Sequence, residues 1–236
     1  MRTRSVGTPR AHFRTVDSTN EQAKALALDG APHGTLVTAD EQTAGRGRQG
    51  RVWTAPPRSS LLMSLLLREL DERHALLPLA AAVAVCEALE PLECRVKWPN
   101  DVWIDGRKLA GILLEGRPQD GWAVLGIGLN VNLQPEDLPE ELRETATSIA
   151  AAAGEPRDLE DQLAALLRSL DAWIGASQEA VLAAWRERDA IIGRQVSWDG
   201  GEGRAAGIDD SGALLVETLD GLQELNAGEI HISGLP

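Results

Sequence analysis

Cysteine is scarce in this chain of 236 residues: only Cys86 and Cys94 occur, one in a segment that reads as a buried helix and one at the start of a strand. Their spacing fits neither a zinc site nor a disulfide framework, so two free thiols in a reducing compartment are expected. Long apolar runs are missing too. The longest uncharged one, Ala75–Cys86, contains Pro78 and is too short to span a bilayer. The basic first ten residues have no apolar region behind them, which excludes a secretory signal and leaves a soluble, cytoplasmic chain as the expectation. Positive charge is in deficit as well, with a formal net charge of −13. Such a chain is electrostatically unsuited to bind a polyanion such as DNA.

Against that background one stretch stands out. Thr43-Ala44-Gly45-Arg46-Gly47-Arg48-Gln49-Gly50-Arg51-Val52-Trp53 alternates glycines with arginines and closes on an aromatic. From Gln42 to Leu67 there are four arginines (46, 48, 51 and 58) and no acid. Glycine lets backbone approach a ligand, and arginine is a permanent cationic fork for phosphate and carboxylate. A local cationic loop on an acidic protein points to a small anionic ligand. The loop is neither a Walker A motif, since no Gly-Lys-Ser/Thr ends it, nor a dinucleotide fingerprint.

Three further stretches are informative. Asp17-Ser18-Thr19-Asn20 precedes a helical segment, Glu21–Leu28. One N-cap needs one such residue, so the surplus polar groups are available to a polar ligand head. Lys97-Trp98-Pro99-Asn100-Asp101-Val102 leads into Asp105-Gly106, the favoured turn of a two-residue hairpin. That hairpin sets Ile104 opposite Arg107, Trp103 opposite Lys108 and Val102 opposite Leu109. It places Asp101, Trp103, Lys108 and Ala110 on one face, with Asp101 diagonal to Lys108. In Trp122–Asn132 one face is wholly apolar, while the other carries Gly126, Gly128, Asn130 and Asn132. Interior glycines mark close approach, so a flat ligand on the glycines read by an asparagine, or a neighbouring helix packed there, are the two readings.

The remaining pattern gives the architecture. Gly34–Ala39 and Leu61–Leu67 read as strands, Leu77–Leu89 as a core helix with Pro78 in its first turn, and 158–176 and 178–188 as amphipathic helices. Gln134–Thr147 reads as a mobile loop and residues 1–12 as a frayed end. From Ile191 short strands alternate with Asp199-Gly200, Asp210-Ser211-Gly212 and Asp220-Gly221, the texture of a small β-barrel. The expected division is 1–188 and 189–236.

Gly45–Trp53, Lys97–Val102, Lys108-Leu109-Ala110-Gly111-Ile112-Leu113 and Gly126-Ile127-Gly128-Leu129-Asn130 together resemble the signature set of the biotin–protein ligases, in the family's order. Asp17–Asn20 sits where that family keeps its biotin-contacting turn. Ala206–Asp209 and Ala227-Gly228-Glu229 are similar to its C-terminal domain. The resemblance implies an α+β fold: a class II synthetase-like catalytic domain on a central mixed sheet with helices, followed by an SH3-like barrel. It implies that biotin and ATP give biotinyl-5′-AMP and pyrophosphate, and that a lysine of a biotin carboxyl carrier protein then takes the biotinyl group.

By the same resemblance Lys108 and Arg48 are catalytic. Ser18, Thr19, Asn20, Gln42, Gly45, Arg46, Gly47, Arg48, Lys108 and Gly111 bind biotin. Arg46, Arg48, Arg51, Trp53, Asn130 and Asn132 bind ATP, and Asp101 is the expected ligand for Mg²⁺. The Gly/Arg loop is expected to be disordered without ligand and to fold over the intermediate. Some relatives carry an N-terminal DNA-binding domain. Only 16 residues precede Asp17 here, so a ligase without repressor function, nucleic acid or membrane partner is expected. Family members often dimerise through the central sheet. Two alternatives remain: a lipoate or octanoate ligase, and a non-catalytic biotin-binding regulator.

Overall fold

A computed structural model describes residues 6–70, 72–117, 121–226 and 228–232. The chain runs β1 (Arg10–Val16), α1 (Thr19–Leu28), β2 (Leu36–Gln42), β3 (Ser60–Arg68), α2 (Leu77–Ala88), β4 (Arg95–Lys97), β5 (Asp101–Ile104), β6 (Arg107–Arg117) and β7 (Trp122–Asn130). It continues with α3 (Ile149–Ala153), α4 (Leu159–Ile174) and α5 (Gln178–Glu187). It ends in β8 (Gln195–Trp198), β9 (Gly201–Ile208), β10 (Leu214–Thr218), β11 (Gly221–Leu225) and β12 (His231–Ile232).

Two sheets result, ordered β1-β2-β3-β7-β6-β5-β4 and β11-β10-β9-β8-β12. The first is mixed, because β1 and β2 are parallel while its other neighbours are antiparallel. The α+β class expected from the sequence is the one found, with a second antiparallel sheet at the C-terminal end.

The large sheet is covered on both faces, which is why β3 and β7 are apolar nearly throughout. Leu61, Met63, Leu65 and Leu67 of β3, with Leu125, Ile127 and Leu129 of β7, join the main core with α2, α4 and α5. Leu66 and Val124 on the opposite face pack with Ala23 and Ala27 of α1. Helix α4 begins where Asp158 accepts the N–H groups of Glu160 (2.8 Å) and Asp161 (3.0 Å). Helix α5 begins where Ser177 accepts that of Ala180 (3.2 Å). Trp185 of α5 is fully buried.

Three sequence expectations need correction. The described part of the supposed frayed end, residues 6–12, is built into the sheet. Val6 is buried, Gly7 N–H donates to the Gly34 carbonyl (2.8 Å), and β1 pairs with β2 from Arg10 onward. Residues 1–5 of that stretch, and Ala227 of the C-terminal motif, lie outside the described residues.

The 105–106 hairpin forms, but Val102 pairs with Ala110, not Leu109, because the register shifts between Val102 and Trp103. The cause is competition for the Lys108 backbone. Its N–H donates to Thr145 (2.7 Å) and its carbonyl accepts from Thr147 (2.8 Å). A bulge follows, and Ala110 therefore shares the core face with Val102 instead of lying beside Asp101. Those same bonds tie down the end of the 134–147 loop, whose earlier part contains two short 3₁₀ turns (Pro135–Asp137, Glu140–Leu142).

Candidate active site

The site lies on the face of the large sheet that carries α1. Here β7 presents Gly126, against the Asn20 side chain, and Gly128, against Trp53 of the Gly/Arg loop, and β3 presents Ser64. That loop leaves β2 and folds back as a miniature hairpin. Arg46 pairs with Val52, and the Trp53 N–H donates to the Gly45 carbonyl (3.0 Å). Gly47 N–H donates to the Arg51 carbonyl (2.8 Å), and Gln49 (φ 54°) and Gly50 (φ 77°) make the left-handed tip.

The hairpin lays the Trp53 indole across the sheet. A Cβ on Gly128 would come within 2.5 Å of the ring, and one on Gly111 within 2.9 Å. The flat group on the glycine face is therefore the protein's own tryptophan. Its Nε1 is buried without a hydrogen-bond partner, and the ring centroid lies 5.7 Å from Lys108 Nζ.

About 120 Å³ remains free in the cavity, less than the roughly 300–1,000 Å³ typical of small-molecule sites. The loop forms one wall. A second hollow of about 490 Å³ opens on its other side, where Ser211, Gly212 and Asn226 of the C-terminal module join residues 46–50.

The cavity wall is cationic. Arg46, Arg48, Arg51, Lys97 and Lys108 line it against two carboxylates, Asp101 and Glu229. Burial pushes both Arg48 and Lys97 below their usual values, while Asp101 opposes this and neighbouring cations add to it. Arg48 donates to Asn100 Oδ1 (3.3 Å), and Lys97 Nζ stands over the Trp103 ring (4.9 Å). Lys108 Nζ lies 2.7 Å from Asp101 Oδ1, an ion-pair contact without the angle of a hydrogen bond. Arg51 pairs with Glu229, so the C-terminal module closes one side. Trp98 fastens the same module by donating its Nε1–H to the Gly212 carbonyl (3.0 Å).

At the other end sits the polar turn before α1. Ser18 has N-cap backbone geometry but makes no side-chain cap bond, and its buried residue lines the cavity. Gln42 Oε1 accepts from both Thr19 N–H (2.7 Å) and Thr19 Oγ1 (3.0 Å). Asn20 Nδ2 donates to Glu115 (2.8 Å), and Ser64 Oγ reaches Asn20 Oδ1 (2.5 Å) and Thr19 Oγ1 (2.8 Å).

The structure thus gathers Ser18, Thr19, Asn20, Gln42, Arg46, Gly47, Arg48, Arg51, Trp53, Asp101, Lys108 and Gly111 around one cavity. Gly45 lies just behind, where a Cβ would strike the Trp53 carbonyl at 2.3 Å. The two asparagines do not line the cavity. Asn130 is buried, donating to the Thr147 carbonyl (3.0 Å) and accepting from Ser60 (3.2 Å). Asn132 exchanges bonds with the Arg157 backbone (2.8 and 2.9 Å).

Sequence reasoning passed over Lys97, Glu229, Ser64 and Glu115. The first two lay inside quoted motifs, and Ser64 was the one polar residue in an otherwise apolar run. Glu115 had no local signal. Among the described residues no cluster of three or more His, Cys, Asp or Glu could hold a metal by itself. Asp101 offers a single carboxylate, which suits an ion held mainly by phosphate oxygens and water.

A polar turn, a flat aromatic ring and a cationic wall thus meet around one cavity. Comparison with known proteins gives the family. The Biotin/lipoate A/B protein ligase family model matches residues 12–132, and the Biotin protein ligase C terminal domain model matches 191–232. The biotin–[acetyl-CoA-carboxylase] ligase of Mycobacterium tuberculosis is 37% identical over 233 residues, covering 90% of this chain and 85% of that protein. The bifunctional ligase/repressor BirA of Bacillus subtilis is 36% identical, covering 98% and 76%. The biotin protein ligase of Aquifex aeolicus in complex with biotin and ATP superposes with a TM-score of 0.82 at 29% identity, covering 96% of this chain and 99% of that one. The chain belongs to the Biotin/lipoate A/B protein ligase family, and its C-terminal stretch matches the C-terminal domain of biotin protein ligases.

Proposed function

We propose that this chain activates biotin with ATP and transfers the biotinyl group to a lysine of a biotin carboxyl carrier protein. The observation that carries the reading is the desolvated cationic wall facing a polar turn across one cavity. Joining a carboxylate to an α-phosphate brings two anions together, and fixed cations offset their repulsion without reorganising during reaction. Arg48 and Lys108 meet the carboxylate and the phosphate. Arg46 and Arg51 serve the phosphates, while Ser18, Thr19, Asn20 and Gln42 hold the ureido ring and Gly45, Gly47 and Gly111 give it backbone access. Trp53 packs on adenine.

Attack of the biotin carboxylate on the α-phosphate expels pyrophosphate and leaves a mixed anhydride. The carrier lysine then attacks the biotinyl carbonyl, and AMP departs. Mg²⁺ supplies charge neutralisation on the phosphates when bound, with Asp101 as its protein ligand. Asn130 and Asn132 act indirectly, shaping the sheet end and the 145–147 segment beside Lys108. Residues 1–188 form the catalytic domain and 189–236 the barrel, and the enzyme works in the cytoplasm.

A deciding experiment incubates the protein with ATP, Mg²⁺, biotin and an apo carrier domain and follows the carrier by mass spectrometry. One added biotinyl group, lost when the carrier lysine is replaced, is the expected result. A carrier that stays unmodified, or one that accepts lipoate in place of biotin, would overturn the reading.

A further inference from the structure

Glu115 on β6 belongs to none of the roles above, yet its two oxygens have separate tasks. Oε2 accepts from Asn20 Nδ2 at 2.8 Å. Oε1 lies 3.3 Å from Lys24 Nζ and 3.7 Å from Arg46 Nη2. Glu21 completes the cluster, bonding both Lys24 (2.6 Å) and Arg46. One carboxylate from the middle of the sheet therefore touches the polar turn, its helix and the Gly/Arg loop.

We infer that Glu115 is a positioning residue that fixes the hydrogen-bond polarity of the turn to which the ligand head binds. A carboxylate offers only acceptors, so Asn20 must turn its NH₂ toward Glu115 and its Oδ1 toward Ser64. The Ser64 hydroxyl has one proton, and the shorter contact sends it to Asn20 Oδ1. Thr19 Oγ1 donates to Gln42 Oε1, which the Thr19 backbone N–H also holds inward, so the Gln42 amide is fixed independently of Glu115. Gly126 makes the arrangement compact, since a Cβ there would stand 2.2 Å from Asn20 Oδ1. The orientation of the Asn20 amide and the Ser64 hydroxyl at the turn is thus set from Glu115, which lines the hollow behind the loop and not the cavity itself.

The inference rests on the biotin reading, and the test separates the two. Glu115→Gln keeps the shape but lets its amide donate to a flipped Asn20, which reverses the Asn20–Ser64 bond and sends the Ser64 proton to Thr19 Oγ1. Biotin-dependent ATP–pyrophosphate exchange by E115Q should show a biotin KM raised about tenfold, the scale of a lost charge-assisted bond. The ATP KM and kcat should change far less. An unchanged biotin KM in E115Q, or an equal loss in every constant accompanied by a lowered Tm, overturns the inference and leaves the function standing. Wild-type protein without biotin-dependent exchange overturns both. Should E115Q not fold, Glu115→Asp retracts both oxygens while keeping the charge. Its biotin KM should also rise, and a folded E115D with the wild-type value contradicts the inference.

Discussion

Trp53 and Gly128 are fitted to one another: the indole rests so close to the strand that a Cβ on Gly128 would stand 2.5 Å from ring atom Cε2. A loop residue thus takes its position from a missing side chain 75 positions later in the chain. Gly128→Ala would push the ring outward, and overpacking of this kind costs about 1–3 kcal/mol. The expected outcome is a loss of roughly ten- to a hundredfold in exchange kcat/KM for ATP, with Tm nearly unchanged because the loop is peripheral to the core. Steady-state kinetics over ATP concentration, beside a thermal melt, checks it.

The loop itself must move. Its hairpin leaves about 120 Å³ in the cavity, too little for a nucleotide and an acid together, so binding involves opening and reclosure. Limited proteolysis near Arg48 reads this directly. Cleavage should slow by roughly tenfold or more when biotin and ATP are both present, since a loop reclosed over bound ligands spends less time in the open, cleavable form. Equal cleavage with and without the ligands contradicts it.

Under the proposed function Lys108 carries the chemistry and Asp101 modulates it. Removing a preorganised donor to developing charge costs about 10²–10³ in kcat, and that is the loss expected for Lys108→Ala and for Arg48→Ala. Asp101→Asn should behave differently. It frees Lys108 from its 2.7 Å partner and removes the carboxylate proposed to hold Mg²⁺. The concentration of Mg²⁺ needed for half-maximal exchange should rise several-fold, with a smaller change in saturated kcat. An unaltered Mg²⁺ titration would remove Asp101 from that role.

Much of this was legible in the sequence, for reasons that differ from residue to residue. The loop, the turn at Asp17–Asn20 and the glycine face announced themselves, because sparse side chains and clustered hydroxyls are costly unless used. The core helices followed from leucine spacing. What sequence could not show was competition between distant segments. Lys108 spends its backbone on Thr145 and Thr147, which inserts a bulge and turns Ala110 away from the site. Asn130, which looked free at a strand end, is consumed by Thr147 and Ser60. Glu115 reaches Asn20 across 95 positions, beyond any local pattern. The placement of residues 10–12 in the sheet came from parallel pairing of β1 with β2, for which a seven-residue strand gives little signal.

The junction between the two modules makes a prediction about acid. Asp189 is buried. Its Oδ1 accepts the N–H groups of Ile191 (2.8 Å) and Ile192 (3.2 Å), while Oδ2 has no partner. Burial raises its pKa above the ordinary 3.8, outweighing those two bonds. The folded state therefore holds this proton more tightly than the unfolded state, and the contribution of Asp189 to stability falls as pH rises through the raised value. Asp189→Asn keeps the Oδ1 acceptor and has no charge to bury. Its Tm should exceed the wild type's at pH 7, with the advantage vanishing as pH falls to about 4. Melts across that range test it, and a constant difference between the two proteins would contradict it.

The most direct test of the whole account is ATP–pyrophosphate exchange by the purified protein, measured with biotin, with lipoate and with no acid, alongside Lys108→Ala and Arg48→Ala. Exchange that requires biotin and collapses in both variants is the predicted result. Exchange supported by lipoate alone, or none with any acid from protein shown to be folded, would contradict it.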